Sequence, residues 1–178
     1  METSQFEIEI LEQGWLGSED TEYDLCSHGK LRLVIGGQVI SSGDKRYGIS
    51  ESALALLRTL SSNHSKAHPV AERLVFHGCG TLLMMGCPIG IDWNVTHTQE
   101  GVRLNNIIKF DTTNEEQGTK YNGLDALLTE EDYRRRVFQF ATKARQLFQE
   151  SPRSYYDDFD RQQFETFWAE YDALLVQG

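Results

Sequence analysis

The spacing of hydrophobic residues changes near residue 130, and no other feature of the sequence constrains the fold as strongly. Before this point apolar residues alternate with polar ones, as where Phe6, Ile8 and Ile10 alternate with two glutamates. A period of two is typical of strands that bury one face. Beyond residue 130 apolar residues recur at steps of three and four, which is typical of amphipathic helices.

The first two-thirds of the chain contain several predicted strands and one predicted helix. Gly36 and Gly37 separate two β-like runs and can adopt the positive φ angles of a tight hairpin turn. A helix is predicted to begin at Ser50 as its N-cap, with Ala53 and Leu57 on its apolar face. Further strands are predicted over residues 74–77, 81–85, 91–98 and 102–110.

Two helices are predicted in the final third. The first begins near Glu130, where Thr129 and Asp132 resemble a capping box with Asp in the position usually held by Glu or Gln, and it ends before Pro152. The second begins near Asp160. Their apolar stripes comprise Tyr133, Val137, Phe140, Ala141, Ala144, Leu147 and Phe148, and then Phe164, Phe167, Trp168, Tyr171, Leu174 and Leu175. Each stripe covers about one-third of the helix circumference, enough to bury a single face.

Strands followed by helices, without βαβ alternation, predict the α+β class. We expect an antiparallel sheet from the N-terminal two-thirds, with the mid-chain helix and the two C-terminal amphipathic helices packed on it or on each other. At 178 residues the chain fits one domain spanning residues 1–178. A chain of this length forms a core without disulfides or metal ions.

The charge and the cysteine content favour a soluble cytoplasmic protein. The net charge of −10 disfavours binding to nucleic acid or to an anionic membrane. The longest apolar run, Ala53 to Leu57, is too short to span a bilayer. The first residues are neither basic nor apolar, as a secretory signal would be, so the three cysteines are expected to be reduced thiols.

The acidic N-terminal part is the first candidate binding surface. Eight acidic residues precede the first cationic residue, Lys30: Glu2, Glu7, Glu9, Glu12, Glu19, Asp20, Glu22 and Asp24. We predict that Glu7, Glu9 and above all Glu19, Asp20, Glu22 and Asp24 attract a basic protein partner. The alternative is that these charges only keep the protein soluble.

Two further groups combine aromatic and polar residues, a mixture that occurs at protein interfaces. Trp93 and His97 on one predicted strand, with Arg103 on its neighbour, form the first group. Tyr155 and Tyr156 in the sequence SPRSYYDDFD form the second. The alternatives are that Trp93 belongs to the core and that the tyrosines cover the end of the core between two helices.

Cysteine and histidine residues form the candidate metal site. Cys26 and His28, and likewise His77 and Cys79, are separated by one residue, so both side chains of a pair face the same way in an extended chain. Together the four residues could hold a tetrahedral zinc ion. Zinc signatures usually place two to four residues between ligands, however, and we therefore predict no bound metal. No nucleotide-binding glycine motif, HExxH motif or GxSxG motif occurs in the chain, and no cofactor is predicted.

Because no set of residues with complementary catalytic roles emerges, the sequence favours a non-enzymatic cytosolic protein-interaction domain. An acidic inhibitor or immunity-type protein acting on a basic partner is the specific form of this hypothesis. The alternative is a small enzyme or zinc-binding domain centred on Cys26, His28, His77 and Cys79.

Overall fold

The computed structural model describes residues 5–77, 89–111 and 118–177. Its strands are β1 Phe6–Gly14, β2 His28–Ile35, β3 Gln38–Gly48, β4 Val75–Phe76, β5 Gly90–Thr98, β6 Gly101–Phe110, β7 Thr119–Lys120 and β8 Asp125–Leu128. Its helices are α1 Ile49–Arg58, α2 Glu130–Glu150 and α3 Asp158–Val176, and a single 3₁₀ turn lies at Thr21–Tyr23.

The strands form one antiparallel sheet in the order β1-β2-β3-β4-β5-β6-β7. Strand β8 pairs with the same edge of β6 as β7 does, opposite residues Val102–Asn105. An antiparallel sheet with one mid-chain and two C-terminal helices confirms the predicted α+β class. The predicted strand at residues 81–85 lies outside the described residues.

The sheet is strongly curved, and its concave face holds the core. The rings of Phe6 on β1 and Trp93 on β5 lie 6.4 Å apart between centroids. Four interstrand steps would separate them by about 19 Å in a flat sheet. Tyr133 of α2 lies 5.5 Å from the Phe6 ring, so α2 packs where β1 approaches β5.

Glycine is required in the turn between β2 and β3 and at one close contact between β1 and β2. Gly36 and Gly37 have φ angles of +57° and +76°, which confirms the predicted hairpin between β2 and β3. Gly29 faces an irregularity in β1, where a Cβ atom would lie 1.7 Å from the Glu12 carbonyl oxygen. The close approach at Gly29 seats β1 directly beside the start of β2.

The N-terminal end of α1 differs from the prediction. The helix begins at Ile49, and its N-cap is Gly48, which has no side chain that could accept a capping hydrogen bond. Ser50 is fully buried, and its hydroxyl accepts a hydrogen bond of 3.0 Å from the backbone nitrogen of Ser27. The predicted Ser50 cap is therefore wrong, since the hydroxyl is used to hold the chain that leads into β2.

The C-terminal helices begin close to the predicted positions. Thr129 caps α2 by accepting a hydrogen bond of 3.1 Å from the Asp132 backbone nitrogen, as predicted. Asp157 caps α3 through the Asp160 backbone nitrogen at 2.8 Å, so α3 begins two residues before Asp160. Among the residues described, no helix is both long and apolar enough to cross a membrane.

Phe140 provides a test of the α2 packing. Its side chain is 2% exposed, and Phe140→Ala is expected to lower the free energy of unfolding by about 3–5 kcal/mol because it leaves a cavity. Phe138, half-buried on the same helix, is the matched control and should cost less than about half as much. Urea unfolding measures both, and a cost below about 1 kcal/mol for Phe140→Ala would show that the α2 stripe faces solvent or a partner instead of the core.

Candidate functional site

The structure joins two candidate segments that lie far apart in the sequence. One is the acidic loop, residues 15–24, and the other is the interhelical segment, residues 151–157. The backbone nitrogen of Ser154 donates a hydrogen bond of 2.8 Å to the Glu22 carbonyl oxygen. The rings of Tyr23 and Tyr156 stack with centroids 4.3 Å apart and planes 17° from parallel. The two segments therefore form one continuous surface.

Arg153 holds the two segments together. Its guanidinium group donates hydrogen bonds to the carbonyl oxygens of Thr21 at 2.7 Å and Asp24 at 3.3 Å. The same group lies 3.6 Å from the centroid of the Trp15 ring. Burial lowers the pKa of Arg153, while the negative charges of Asp24 and Glu22 act in the opposite direction. One side chain thus fixes both ends of the acidic loop.

Beneath this junction the acidic loop rests on aromatic side chains of the two helices. Trp15 meets Phe148 of α2 edge-on, with centroids 4.9 Å apart, and Phe148 lies 4.5 Å from Trp168 of α3. The ring centroids of Tyr155 and Phe164 lie 5.5 Å apart, and burial raises the pKa of the Tyr155 hydroxyl. Tyr155 therefore covers the end of the core, whereas its neighbour Tyr156 is 74% exposed.

The resulting surface has an excess of negative charge and exposed rings. The acidic loop, the interhelical segment and the first turn of α3 hold the carboxylates Glu19, Asp20, Glu22, Asp24, Asp157, Asp158 and Asp160. Two cationic residues lie in or beside these stretches. Arg153 is in the interhelical segment, and Arg161 directly follows Asp160. We call the exposed part the acidic–aromatic surface, and it comprises Leu16, Glu19, Asp20, Glu22, Tyr156, Asp157, Asp158 and Phe159.

Asp24 differs from the other predicted acidic residues because its carboxylate points into the protein. Its side chain is 8% exposed. One carboxylate oxygen accepts a hydrogen bond of 2.7 Å from the Leu16 backbone nitrogen, and the other accepts one of 3.3 Å from the Cys26 backbone nitrogen. Asp24 therefore shapes the acidic loop rather than its exposed face.

The predicted binding residues Trp93, His97 and Arg103 make contacts within the protein. Trp93 is 1% exposed and belongs to the core, the alternative that the sequence left open. The His97 ring bridges elements, with Nδ1 2.8 Å from the Glu130 carboxylate and Nε2 2.8 Å from the Thr59 carbonyl oxygen. Arg103 forms an ion pair with a carboxylate of the neighbouring strand β8.

A second cluster lies directly behind the acidic loop. One ligand atom each of Asp24, Cys26 and His28 lies within 4.8 Å of the other two. Burial raises the pKa of the Cys26 thiol, and the nearby negative charges of Glu51 and Asp24 raise it further. The structure therefore brings together Cys26 and His28 of the predicted metal set and adds Asp24.

The remaining members of the predicted metal set are His77 and Cys79. Burial lowers the pKa of His77, and the neighbouring Lys45 and His28 lower it further. His77 thus lies near His28, in line with the row of paired residues His28, Gly48 and Phe76 across β2, β3 and β4, but it is not in the cluster. Cys79 lies outside the described residues.

Asp24 was not predicted as a metal ligand, although the sequence contains a signal for this role. Residues 24, 26 and 28 follow one another at steps of two, which places their side chains on one side of an extended chain. The pair Cys26 and His28 already showed this step, and one further step toward the N-terminus reaches Asp24. The sequence analysis did not consider Asp24 as a ligand because Asp24 belongs to the run of acidic residues assigned to partner binding.

A comparison of the chain with family models, curated proteins and solved structures finds no match to any of them. Function is therefore inferred from the contacts, burial and charge of the described residues.

The junction can be tested at Arg153. Arg153→Ala removes the two charged hydrogen bonds to the acidic loop and the contact with Trp15, together with the hydrogen bonds to Ser151, and we expect a loss of about 2–4 kcal/mol in the free energy of unfolding. Arg153→Lys keeps the charge without the planar fork and should recover less than half of that loss. The readouts are urea unfolding and the near-ultraviolet circular dichroism of the Trp15 environment.

Arg161→Ala is the matched control for the junction. Arg161 is exposed and pairs with Asp158 at 2.7 Å, and its removal should change the stability by no more than about 0.5 kcal/mol. A similar small effect of Arg153→Ala would contradict the role of Arg153 in joining the two segments.

Proposed function

We propose that the protein is a non-enzymatic interaction domain that binds a basic protein partner through the acidic–aromatic surface. The observation that carries this proposal is the union of the acidic loop with the interhelical segment, locked by Arg153 and by the stacked Tyr23 and Tyr156. An inhibitor or immunity-type protein that neutralises its partner is the specific form that we propose, acting in the cytoplasm.

The charge of the surface supports a cationic partner. Glu19, Asp20 and Glu22 are exposed, and Asp157 and Asp158 add two exposed carboxylates beside them. Like-signed charges grouped in this way attract an oppositely charged protein during diffusion and raise its association rate. The same charges repel the phosphates of nucleic acids and of anionic lipids, so neither is proposed as a partner.

The exposed rings supply the short-range part of the recognition. Tyr156 is 74% exposed and Phe159 is 66% exposed, and aromatic residues such as Tyr contribute strongly to binding at the centres of interfaces. An arginine of the partner can stack on such a ring while it pairs with an adjacent carboxylate. Tyr156 is already held by Tyr23, so less side-chain freedom is lost on binding.

Glu7 and Glu9 of β1 contribute less negative charge to the proposed binding site than the acidic loop does. Glu7 forms an ion pair of 3.5 Å with Arg32. Together with Glu9, it also borders a groove lined by Arg136 and Lys143 of α2. These cations compensate the negative charge of Glu7 and Glu9 locally. We therefore centre the proposed binding site on the acidic–aromatic surface.

The test compares capture by two variants of equal net charge. The first variant carries Glu19→Gln, Asp20→Asn and Glu22→Gln, and the control carries Glu100→Gln, Glu131→Gln and Glu150→Gln, which are all exposed and lie outside the acidic–aromatic surface. Immobilised wild-type protein and both variants are incubated with extract of the native cell, and the retained proteins are quantified by mass spectrometry. We expect a basic protein that the wild type and the control retain and the first variant loses.

Association kinetics with the captured partner complete the test. We expect the association rate to fall about 10-fold or more when the ionic strength is raised or when the first variant replaces the wild type, because steering by exposed charges is screened by salt. Tyr156→Ala should instead act mainly on the dissociation rate. Association rates that respond to neither salt nor the three substitutions would refute the role of the acidic–aromatic surface.

A further inference from the structure

We propose that Asp24, Cys26 and His28 bind one zinc ion. This inference is independent of the proposed partner binding, although the site lies directly behind the acidic–aromatic surface. It departs from the prediction of no metal made from sequence spacing, because the structure supplies a carboxylate that the spacing of cysteines and histidines does not reveal.

The distance between two candidate ligand atoms matches a tetrahedral zinc site. The Nε2 atom of His28 lies 3.5 Å from Oδ1 of Asp24. A zinc ion about 2.1 Å from each atom at the tetrahedral angle would place them about 3.4 Å apart. The Sγ atom of Cys26 lies within 4.8 Å of a ligand atom of each of these two residues, on the same side of the chain.

His28 gives the independent observation that a ligand belongs here. The side chain is 2% exposed, yet its Nε2 atom has no hydrogen-bond partner among the described residues, and the Asp24 carboxylate oxygen 3.5 Å away does not form a hydrogen bond with it. A buried polar atom without a hydrogen bond is costly, and such atoms need an explanation in a native protein. A cation between Nε2 and the carboxylate would provide the missing partner.

Cys26 has surroundings that suit a metal-bound thiolate. It is fully buried between Glu51 and Asp24, and both negative charges disfavour an isolated thiolate. A divalent cation placed among these groups reverses the balance, because it interacts favourably with the thiolate and with the carboxylates at once. Glu51 is itself 8% exposed and lies in the first turn of α1.

The donor set selects the class of metal. One thiolate, one imidazole and one carboxylate mix soft, intermediate and hard ligands, which suits zinc better than calcium or magnesium, because those two ions prefer oxygen alone. Three protein ligands leave the fourth tetrahedral position to a small molecule such as water. Such an ion would tie the end of the acidic loop to the start of β2.

The backbone around the site is already ordered by hydrogen bonds. The Ser27 backbone nitrogen donates to Ser50 at 3.0 Å, and the Ile49 backbone nitrogen donates to the Ser27 carbonyl oxygen at 2.8 Å. The Gln13 side chain donates to the Ser27 hydroxyl at 2.9 Å. Ser27, between the two ligands Cys26 and His28, is thus fixed from three sides, which holds their side chains in register.

Metal analysis of untagged full-length protein tests the proposal first. Elemental analysis should find about one zinc ion per chain, and cobalt added to the chelator-stripped protein should give a thiolate-to-cobalt charge-transfer band. X-ray absorption at the zinc edge should show one sulfur ligand and three nitrogen or oxygen ligands. These measurements use the wild-type protein and so do not depend on the folding of any variant.

Variants then assign the ligands. Cys26→Ser, His28→Gln and Asp24→Asn should each weaken cobalt binding by more than about 100-fold, beyond the loss typical of residues that only support a ligand. The matched controls are His68→Gln, an exposed histidine, and Cys87→Ser, and both should bind cobalt as the wild type does. Circular dichroism confirms that each variant is folded.

Three results would overturn the proposal. The first is wild-type protein with no zinc and no charge-transfer band. The second is a zinc-edge spectrum that shows two or more sulfur ligands. The third is a folded Asp24→Asn variant with unchanged cobalt affinity while Cys79→Ser loses it, which would move the site to the cysteine–histidine set. None of these results bears on the partner experiment, because that experiment changes only exposed residues.

Discussion

The contact of Phe6 with Trp93 and Tyr133 is the packing interaction on which the rest of the structure depends. It joins the first strand, a strand from the middle of the sheet and the first turns of α2 at one point of the core. Burial of three large rings provides a hydrophobic driving force that bends the sheet toward the helices. With α2 seated in this way, its C-terminal end reaches Trp15, and the interhelical segment that follows meets the acidic loop.

The acidic–aromatic surface combines local irregularity with a rigid support. Neither the acidic loop nor the interhelical segment belongs to a long helix or strand, yet both are bonded to each other and rest on Phe148, Phe164 and Trp168. Binding residues are often carried on loops that a rigid scaffold positions. Preformed contacts such as the Tyr23–Tyr156 stack reduce the entropy lost when a partner binds.

Asp24 links the two proposals physically. Its carboxylate faces inward, its carbonyl oxygen accepts from Arg153, and its backbone leads directly to Cys26 and His28. A zinc ion at the cluster would therefore brace the loop that presents Glu19, Asp20 and Glu22. Metal binding and partner recognition would act on opposite sides of one short stretch of chain, the metal by limiting its conformations and the partner by contacting its exposed charges.

The fold class followed from hydrophobic periodicity, whereas the positions of individual polar side chains did not. Alternation in β1 and the stripe through Phe140 identified their elements because each element buries one face, and the glycines between β2 and β3 identified the hairpin. The short strands β7 and β8 were not predicted because neither contains a clear alternation of apolar and polar residues. Both are defined by their pairing with β6. Ser50 was misassigned because a buried backbone nitrogen competed with the helix for its hydroxyl.

The sequence by itself determined the α+β class, the strand and helix segments with the strongest patterns, and the acidic character of the N-terminal part. These properties depend on residues close together in the chain and on charges that can be counted. Only the tertiary structure decided that the acidic loop meets Tyr156, that the Asp24 carboxylate turns inward, and that Glu51 approaches Cys26. Those contacts join residues distant in sequence, and their geometry is set by the curvature of the sheet and the packing of α2, which no local pattern encodes.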